Sequence, residues 1–423
     1  MKIDKANLGG NNVTMIETYT CKNGLRIVLE HVPTVRSVTI GVWVLTGSRN
    51  ETEQNNGISH FLEHMFFKGT KKRTAKEIAE AFDSIGGQVN AFTSKEYTCY
   101  YARVLDSYKE HALEVLTDML FHSTFDEEEL EREKNVVIEE IKMYEDTPDD
   151  HVHDLLAKAS FGNHPLGRSI LGTEKHLRSF TKETLIDYME TYYTPNNIVV
   201  SIAGNVDEHF IPIVERYFDQ FNRKNNEVKR KAPIFLDQSI TKHKDTEQAH
   251  YCVGFEGYPV GDDMISSVML VNNVLGGGMS SRLFQEVREK RGLAYSVFSY
   301  HSSYLDSGLL AIYAGTVKEQ LELLKTTINE TIEHLIENGL TEKEFKNSKE
   351  QLKGNIMLSL ESTNSRMSRN GRNELLLRRH RTLDDIIKEI DEVQLDEVNE
   401  VIKRIFTSNS SEALIVPTES PSA

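Results

Sequence analysis

The chain has 423 residues, 39% of them apolar and 27% charged, with 65 acidic against 49 basic side chains and a net charge of −16. That length exceeds what one hydrophobic core organises, so two or more domains are expected, and the negative balance argues against nucleic acid as a partner. The longest apolar runs fall short of the ~20 residues a membrane-crossing helix needs, so no membrane partner is expected. No apolar stretch follows the first five residues, and the three scattered cysteines, Cys21, Cys99 and Cys252, have no CxxC spacing. Both features fit a cytoplasmic protein with buried thiols rather than a secreted disulfide framework.

Alternating and β-branched side chains predict strands over 24–31 and 37–46. Helical spacing follows over 57–67 and 74–84, then the turn signal Gly86-Gly87 and strands over 88–94 and 97–104. The basic run 68–73 reads as a solvated connection between helices. Longer helices are predicted over 107–122, 126–145 and 149–161, and a strand at 198–203 with a helix to about residue 221 closes the first half.

From Asn222 to Lys244 the chain turns polar and basic, contains Pro233 and shows no sustained periodicity. The expected division is therefore a first domain over 1–222, a linker over 223–244 and a second domain over 245–423. Beyond the linker the order of elements repeats. It runs strand 250–255, helices 264–275 and 281–290, strands 295–300 and 308–315, then long helices, among which 344–362 matches 130–146. This is a weak internal duplication, carried by element order more than by identities. Residues 418–423 read as a frayed tail.

Chemistry concentrates in the segment 57–67. Ile58, Phe61, Leu62, Met65 and Phe66 form one apolar helical stripe. His60, Glu63 and His64 fall at i, i+3 and i+4 on the other side, where two imidazoles one turn apart can reach one zinc ion and the carboxylate its water. A catalytic zinc needs a third protein ligand. The 126–145 helix offers two: Glu133 and Glu140 lie on or beside the core stripe of Leu130, Val137, Ile141 and Tyr144, whereas Glu139 is turned about 100° away. Carboxylates on an apolar face are costly unless paired or metal-bound. One can ligate the metal while the other supports it, and spacing alone leaves open which does which.

With His60-Phe61-Leu62-Glu63-His64, and Glu140 76 residues after His64, the chain resembles the pitrilysin (insulinase) family of inverted-motif zinc peptidases, the inverzincins. That family includes mitochondrial processing peptidase and insulin-degrading enzyme, and the closest likeness is to bacterial relatives of the processing peptidase β subunit. Further matches are Asn90-Ala91-Phe92-Thr93-Ser94 with Glu96 and Thr98, His164-Pro165-Leu166-Gly167-Arg168 with Ile170-Leu171-Gly172, Gly276-Gly277-Gly278-Met279-Ser280-Ser281-Arg282-Leu283, and Arg288 with Tyr295.

The resemblance implies one Zn²⁺ per chain held by His60, His64 and Glu140, with Glu63 as general base and Glu133 as a second important acid. It implies a substrate strand around Asn90, Ala91 and Phe92, and an Arg288–Tyr295 pair that holds the substrate carbonyl. The implied fold is α+β: two similar domains, each an antiparallel-rich mixed sheet packed with helices, together half of a four-domain clamshell. A homodimer with a shared chamber follows from that half. The implied activity is a zinc metalloendopeptidase acting on extended or presequence-like peptides. The alternative is a non-catalytic partner subunit of the same fold, which would be expected to have lost motif residues.

Overall fold

Two mixed sheets, each dominated by antiparallel pairs, organise residues 2–5, 16–219, 221–224 and 230–418, which the computed structural model describes. The first sheet contains β1 (Lys2–Lys5), β2 (Ile16–Thr20), β3 (Arg26–His31), β4 (Ser37–Val44), β5 (Gln88–Thr93), β6 (Thr98–Leu105) and β7 (Ile198–Gly204). Its order is β1-β2-β3-β7-β4-β6-β5, parallel only between β3 and β7. The second contains β8 (Ser239–Lys244), β9 (Ala249–Glu256), β10 (Val297–Ser303), β11 (Gly308–Thr316) and β12 (Ser410–Pro417), ordered β10-β11-β9-β12-β8 and parallel only between β12 and β8.

The sequence pattern sets each strand's place. β7 reads Ile-Val-Val-Ser-Ile-Ala-Gly and is buried throughout, as a central strand covered on both faces must be. Among the described residues β5 is the outermost strand of its sheet and pairs with β6 alone, and it is half exposed.

Read from the parallel pair outward, β3-β7-β4-β6-β5 has the same topology as β8-β12-β9-β11-β10. The duplication seen in element order is therefore a duplication of fold. One compact unit gathers residues 1–141, 169–230 and 359–382, and the other gathers 142–168, 231–358 and 383–423. These units differ from the contiguous division 1–222 and 245–423. The helix Thr363–Leu376 from the second half packs on β4 and β7 of the first sheet, and the helix Pro148–Phe161 from the first half packs on the equivalent strands β9 and β12 of the second.

The exchanged helix Thr363–Leu376 is polar overall yet seats firmly. Trp43 Nε1 donates to Met367 Sδ at 3.2 Å, and Ser201 Oγ donates to Met367 O at 2.7 Å. Gly371 lets the indole approach, because a Cβ there would stand 2.3 Å from Trp43 Nε1. Two polar anchors flank the contact: Arg26 reaches Glu374 at 2.9 Å, and the buried Glu30 meets Arg366 and Asn370. On the opposite face of the sheet lies the main core of this unit, which includes Phe61, Leu62, Met65, Leu113, Leu116 and Val137.

The expected linker differs from the structure. Its last six residues form β8, an edge strand of alternating exposure, while 225–229 lie outside the described residues. The expected helix over 281–290 contains one π-helical turn, Phe284–Glu289. Apart from Thr418, the expected tail lies outside the described residues. The basic run 68–73 connects helices, but it is less solvated than its composition suggests. Lys68 pairs with Glu133, Lys72 with Glu114, and Arg73 with Glu114 and the buried Asp118. Cys21, Cys99 and Cys252 are free thiols, all buried. Among the described residues no helix is long and apolar enough to cross a membrane.

Candidate metal centre

The helix Ile58–Met65 carries the motif, and its start is built with unusual care. Gly57 caps it with φ +98°, and a Cβ there would lie 2.6 Å from Leu171 O. Gly172 returns the close approach at φ +73°, with Asn56 O 2.3 Å from its own missing Cβ. The Glu51 carboxylate accepts from Gly57 N at 2.8 Å, Ser59 N at 2.9 Å and Asn56 Nδ2 at 2.9 Å, so it satisfies helix N–H groups that would otherwise be orphaned and complements the helix dipole. Complete burial pushes that carboxyl upward against these bonds. Arg49 pairs with the buried Glu96 at 2.6 Å, and Thr98 Oγ1 donates to Thr46 O at 2.9 Å, which fixes the loop leading in. These contacts account structurally for the motif residues Glu96, Thr98 and Leu171-Gly172.

With Ile58, Phe61, Leu62 and Met65 in the core, His60, Glu63 and His64 emerge on the other side. There they meet the helix Glu127–Asp146. Glu140 lies 3.6 Å from His60 Nε2 and 3.5 Å from His64 Nε2, one carboxylate oxygen toward each ring. Glu133, 4% exposed, turns instead to the far side of His64, where the ring Nδ1–H donates to Oε1 at 2.8 Å. Lys68 Nζ donates to the other Glu133 oxygen at 2.7 Å. Glu139 is exposed. The two acids that the helix pattern left interchangeable thus do different things: one converges with both Nε2 atoms, and the other holds an imidazole from behind.

Two imidazoles and a carboxylate are a common donor set for catalytic zinc. Their ligand atoms all lie within 4.8 Å of one another, the one such group among the described residues. Bonds of about 2.1 Å in a tetrahedron place neighbouring ligand atoms about 3.4 Å apart, close to the two separations from Glu140. The charges fit as well. Glu63, Glu133 and Glu140 gather around the two imidazoles, with Lys68 paired to Glu133, an acidic surrounding that suits a cation. Burial, with His64 adding to it, pushes His60 down to about 3, so its ring is neutral and its Nε2 can ligate. Burial would lower His64 too, but the Glu133 hydrogen bond and the Glu140, Glu133 and Glu63 charges raise it, which shows how negative this point is. Glu133 is held below its usual range despite burial, by the His64 and Lys68 hydrogen bonds. Among the described residues His60 has no such support, since its buried Nδ1 meets no hydrogen-bond partner there.

Glu63 stands between His60 and His64 in sequence, and its carboxyl is raised chiefly by burial. Its one described hydrogen-bond donor is Thr93 Oγ1, at 2.5 Å, from the end of β5. Asn90, Ala91 and Phe92 belong to that same edge strand. Asn90 is exposed, its amide oxygen takes the Ala91 N–H at 2.8 Å, and Phe92 packs edge-on against Trp43. Arg288 and Tyr295 lie in the other compact unit and are brought together there. The guanidinium sits 4.4 Å from the Tyr295 ring centre and 4.8 Å from that of Phe284, with Tyr295 80% exposed.

Sequence reasoning missed the parts played by Glu51, Lys68 and Thr93. Only Lys68 had a local signal, standing one turn beyond His64 and so continuing its face.

The family comparisons agree with this geometry. Residues 26–174 match the model described as insulinase (peptidase family M16), and residues 179–352 match the one described as the peptidase M16 inactive domain. The chain belongs to peptidase family M16. It is 61% identical over 404 residues to the Bacillus subtilis protein named "uncharacterized zinc protease YmxG", covering 96% of this chain and 99% of that one. A Streptomyces coelicolor zinc protease is 40% identical over 424 residues, 98% of this chain and 92% of that one. In fold, a protease from Helicobacter pylori superposes with a TM-score of 0.90 at 23% identity, covering 96% of this M16 chain and all of that one. A Pseudomonas fluorescens structure titled as a peptidase M16 inactive domain gives 0.89 at 21% identity, with the same coverage.

Because Glu133 fixes the orientation of His64, Glu133→Gln is expected to weaken zinc binding by about tenfold, the low end for such supporting groups since Gln can still accept a hydrogen bond. Competition with a chromophoric chelator measures this, and an affinity equal to wild type would remove Glu133 from the support of the site.

Proposed function

We propose that this M16 chain is a zinc metalloendopeptidase, with one Zn²⁺ per chain held by His60, His64 and Glu140. The observation that carries the reading is the convergence of both Nε2 atoms on Glu140 beside Glu63, at the end of the outermost strand described for that sheet. When bound, the metal supplies Lewis acidity at that point. Glu63 takes a proton from the attacking water as its oxygen bonds to the scissile carbonyl carbon, then delivers a proton to the amine nitrogen as the C–N bond breaks. Burial suits it to both steps by bringing its affinity for a proton toward that of the water it serves. Glu133 keeps His64 in the tautomer with a free Nε2.

An extended peptide added to the open edge of β5, along Asn90, Ala91 and Phe92, would gain backbone hydrogen bonds with little demand on sequence. The net charge of −16 favours basic, presequence-like peptides, in keeping with a likeness to the processing peptidase β subunit. A cytoplasmic setting fits the buried free thiols.

Glu63→Gln is expected to retain its zinc and to lose cleavage of a quenched fluorescent peptide by at least about 100-fold. Equal cleavage by the variant would overturn the mechanism. Zinc binding by wild type without cleavage of any peptide would favour a non-catalytic partner subunit.

The exposed Tyr295, backed by Arg288, forms the second half of the reading: in a homodimer this pair would hold the substrate carbonyl in a shared chamber. Inactive His60→Ala and Tyr295→Phe chains, mixed and allowed to exchange subunits, are then expected to regain part of the activity. No recovery under demonstrated exchange would contradict the shared chamber.

A further inference from the structure

Thr93 connects two features that the proposed function treats separately, the edge strand and the base. It is the last residue of β5, directly after Asn90, Ala91 and Phe92. Its backbone is fixed by the turn that follows, where Ser94 N donates to Tyr97 O at 2.8 Å and Ser94 Oγ to the same oxygen at 2.9 Å. Glu96 of that turn is locked to Arg49 at 2.6 Å, and Arg49 N donates to Lys95 O at 2.7 Å. From this rigid mount Thr93 Oγ1 donates to Glu63 Oε2 at 2.5 Å, and no other described group donates to that carboxylate.

A glutamate has three rotatable side-chain bonds, so its carboxylate needs a fixed partner to stay where a base is useful. A charge-assisted hydrogen bond is about twice as strong as a neutral one and can supply that partner. It occupies one oxygen and leaves the other for water.

We propose that Thr93 is a positioning residue for Glu63: its hydroxyl holds the carboxylate in one rotamer, so that the strand pairing with the peptide also aligns the base that acts on it. The inference rests on the metallopeptidase reading and names no new reacting group. Its specific content is that the hydroxyl matters, not the branched shape of the side chain.

The test compares wild type, Thr93→Val, Thr93→Ser and Glu63→Gln for peptide cleavage, zinc content and thermal midpoint, with a crystal structure of Thr93→Val. Thr93→Val keeps the shape and loses the donor, so kcat is expected to fall about tenfold, as for a displaced base. Its KM should stay within about twofold, its zinc content and midpoint should match wild type, and Glu63 should occupy more than one rotamer. Thr93→Ser restores the donor and is expected to recover kcat to within about threefold. If Thr93→Val turns over like wild type while Glu63→Gln is inactive, the positioning role falls and the peptidase reading stands. The role also falls if serine is as impaired as valine, or if the loss lies entirely in KM. If wild type and Glu63→Gln do not differ, both readings fall together.

Discussion

A buried carboxylate must be compensated, and the hydrogen bond from His64 to Glu133 is where this structure meets that requirement. Leaving Glu133 unpaired inside the protein would cost several kcal/mol, so the helix carrying it can pack only where His64 and Lys68 reach both its oxygens. That requirement registers the helix Glu127–Asp146 against the helix Ile58–Met65. Glu140 follows two turns later, about 10 Å along the axis, with its oxygens near both Nε2 atoms. Position of the candidate metal ligand is thus a consequence of satisfying its neighbour.

The two halves share a sheet topology and differ in what the first α-helix after β4, or after its counterpart β9, carries. In the first half it is Ile58–Met65, with two imidazoles and a carboxylate on one face. In the second it is Ile265–Gly276, whose residues include no His, Cys, Asp or Glu. Apolar packing is preserved in both, so the fold does not require the metal site. The exchanged helices Pro148–Phe161 and Thr363–Leu376 repeat the same symmetry, each covering equivalent central strands of the sheet encoded by the other half.

The motif helix was legible in the sequence because its two periodicities, apolar and polar, coincide within eleven residues. The central strands were legible for a similar reason, since burial on both faces leaves an apolar run. β8 was not, because an edge strand such as Ser-Ile-Thr-Lys-His-Lys needs little apolar surface and reads as a polar linker. The exchanged helix Thr363–Leu376 was hidden in the same way. It is seated by Met367, by Gly371 and by ion pairs to Arg26 and Glu30, partners more than 300 residues away. Glu51 and Thr93 likewise act through contacts that no local pattern encodes. Glu133 and Glu140 could be found but not told apart, since helix geometry fixes a face and not the partner opposite it.

Zinc K-edge absorption of the purified protein tests the centre most directly. The geometry predicts a first shell of two imidazole nitrogens with the remaining ligands oxygen, and no sulfur. A sulfur shell, a third imidazole, or a zinc environment unchanged when Glu140 is replaced by Gln would contradict the assignment of His60, His64 and Glu140.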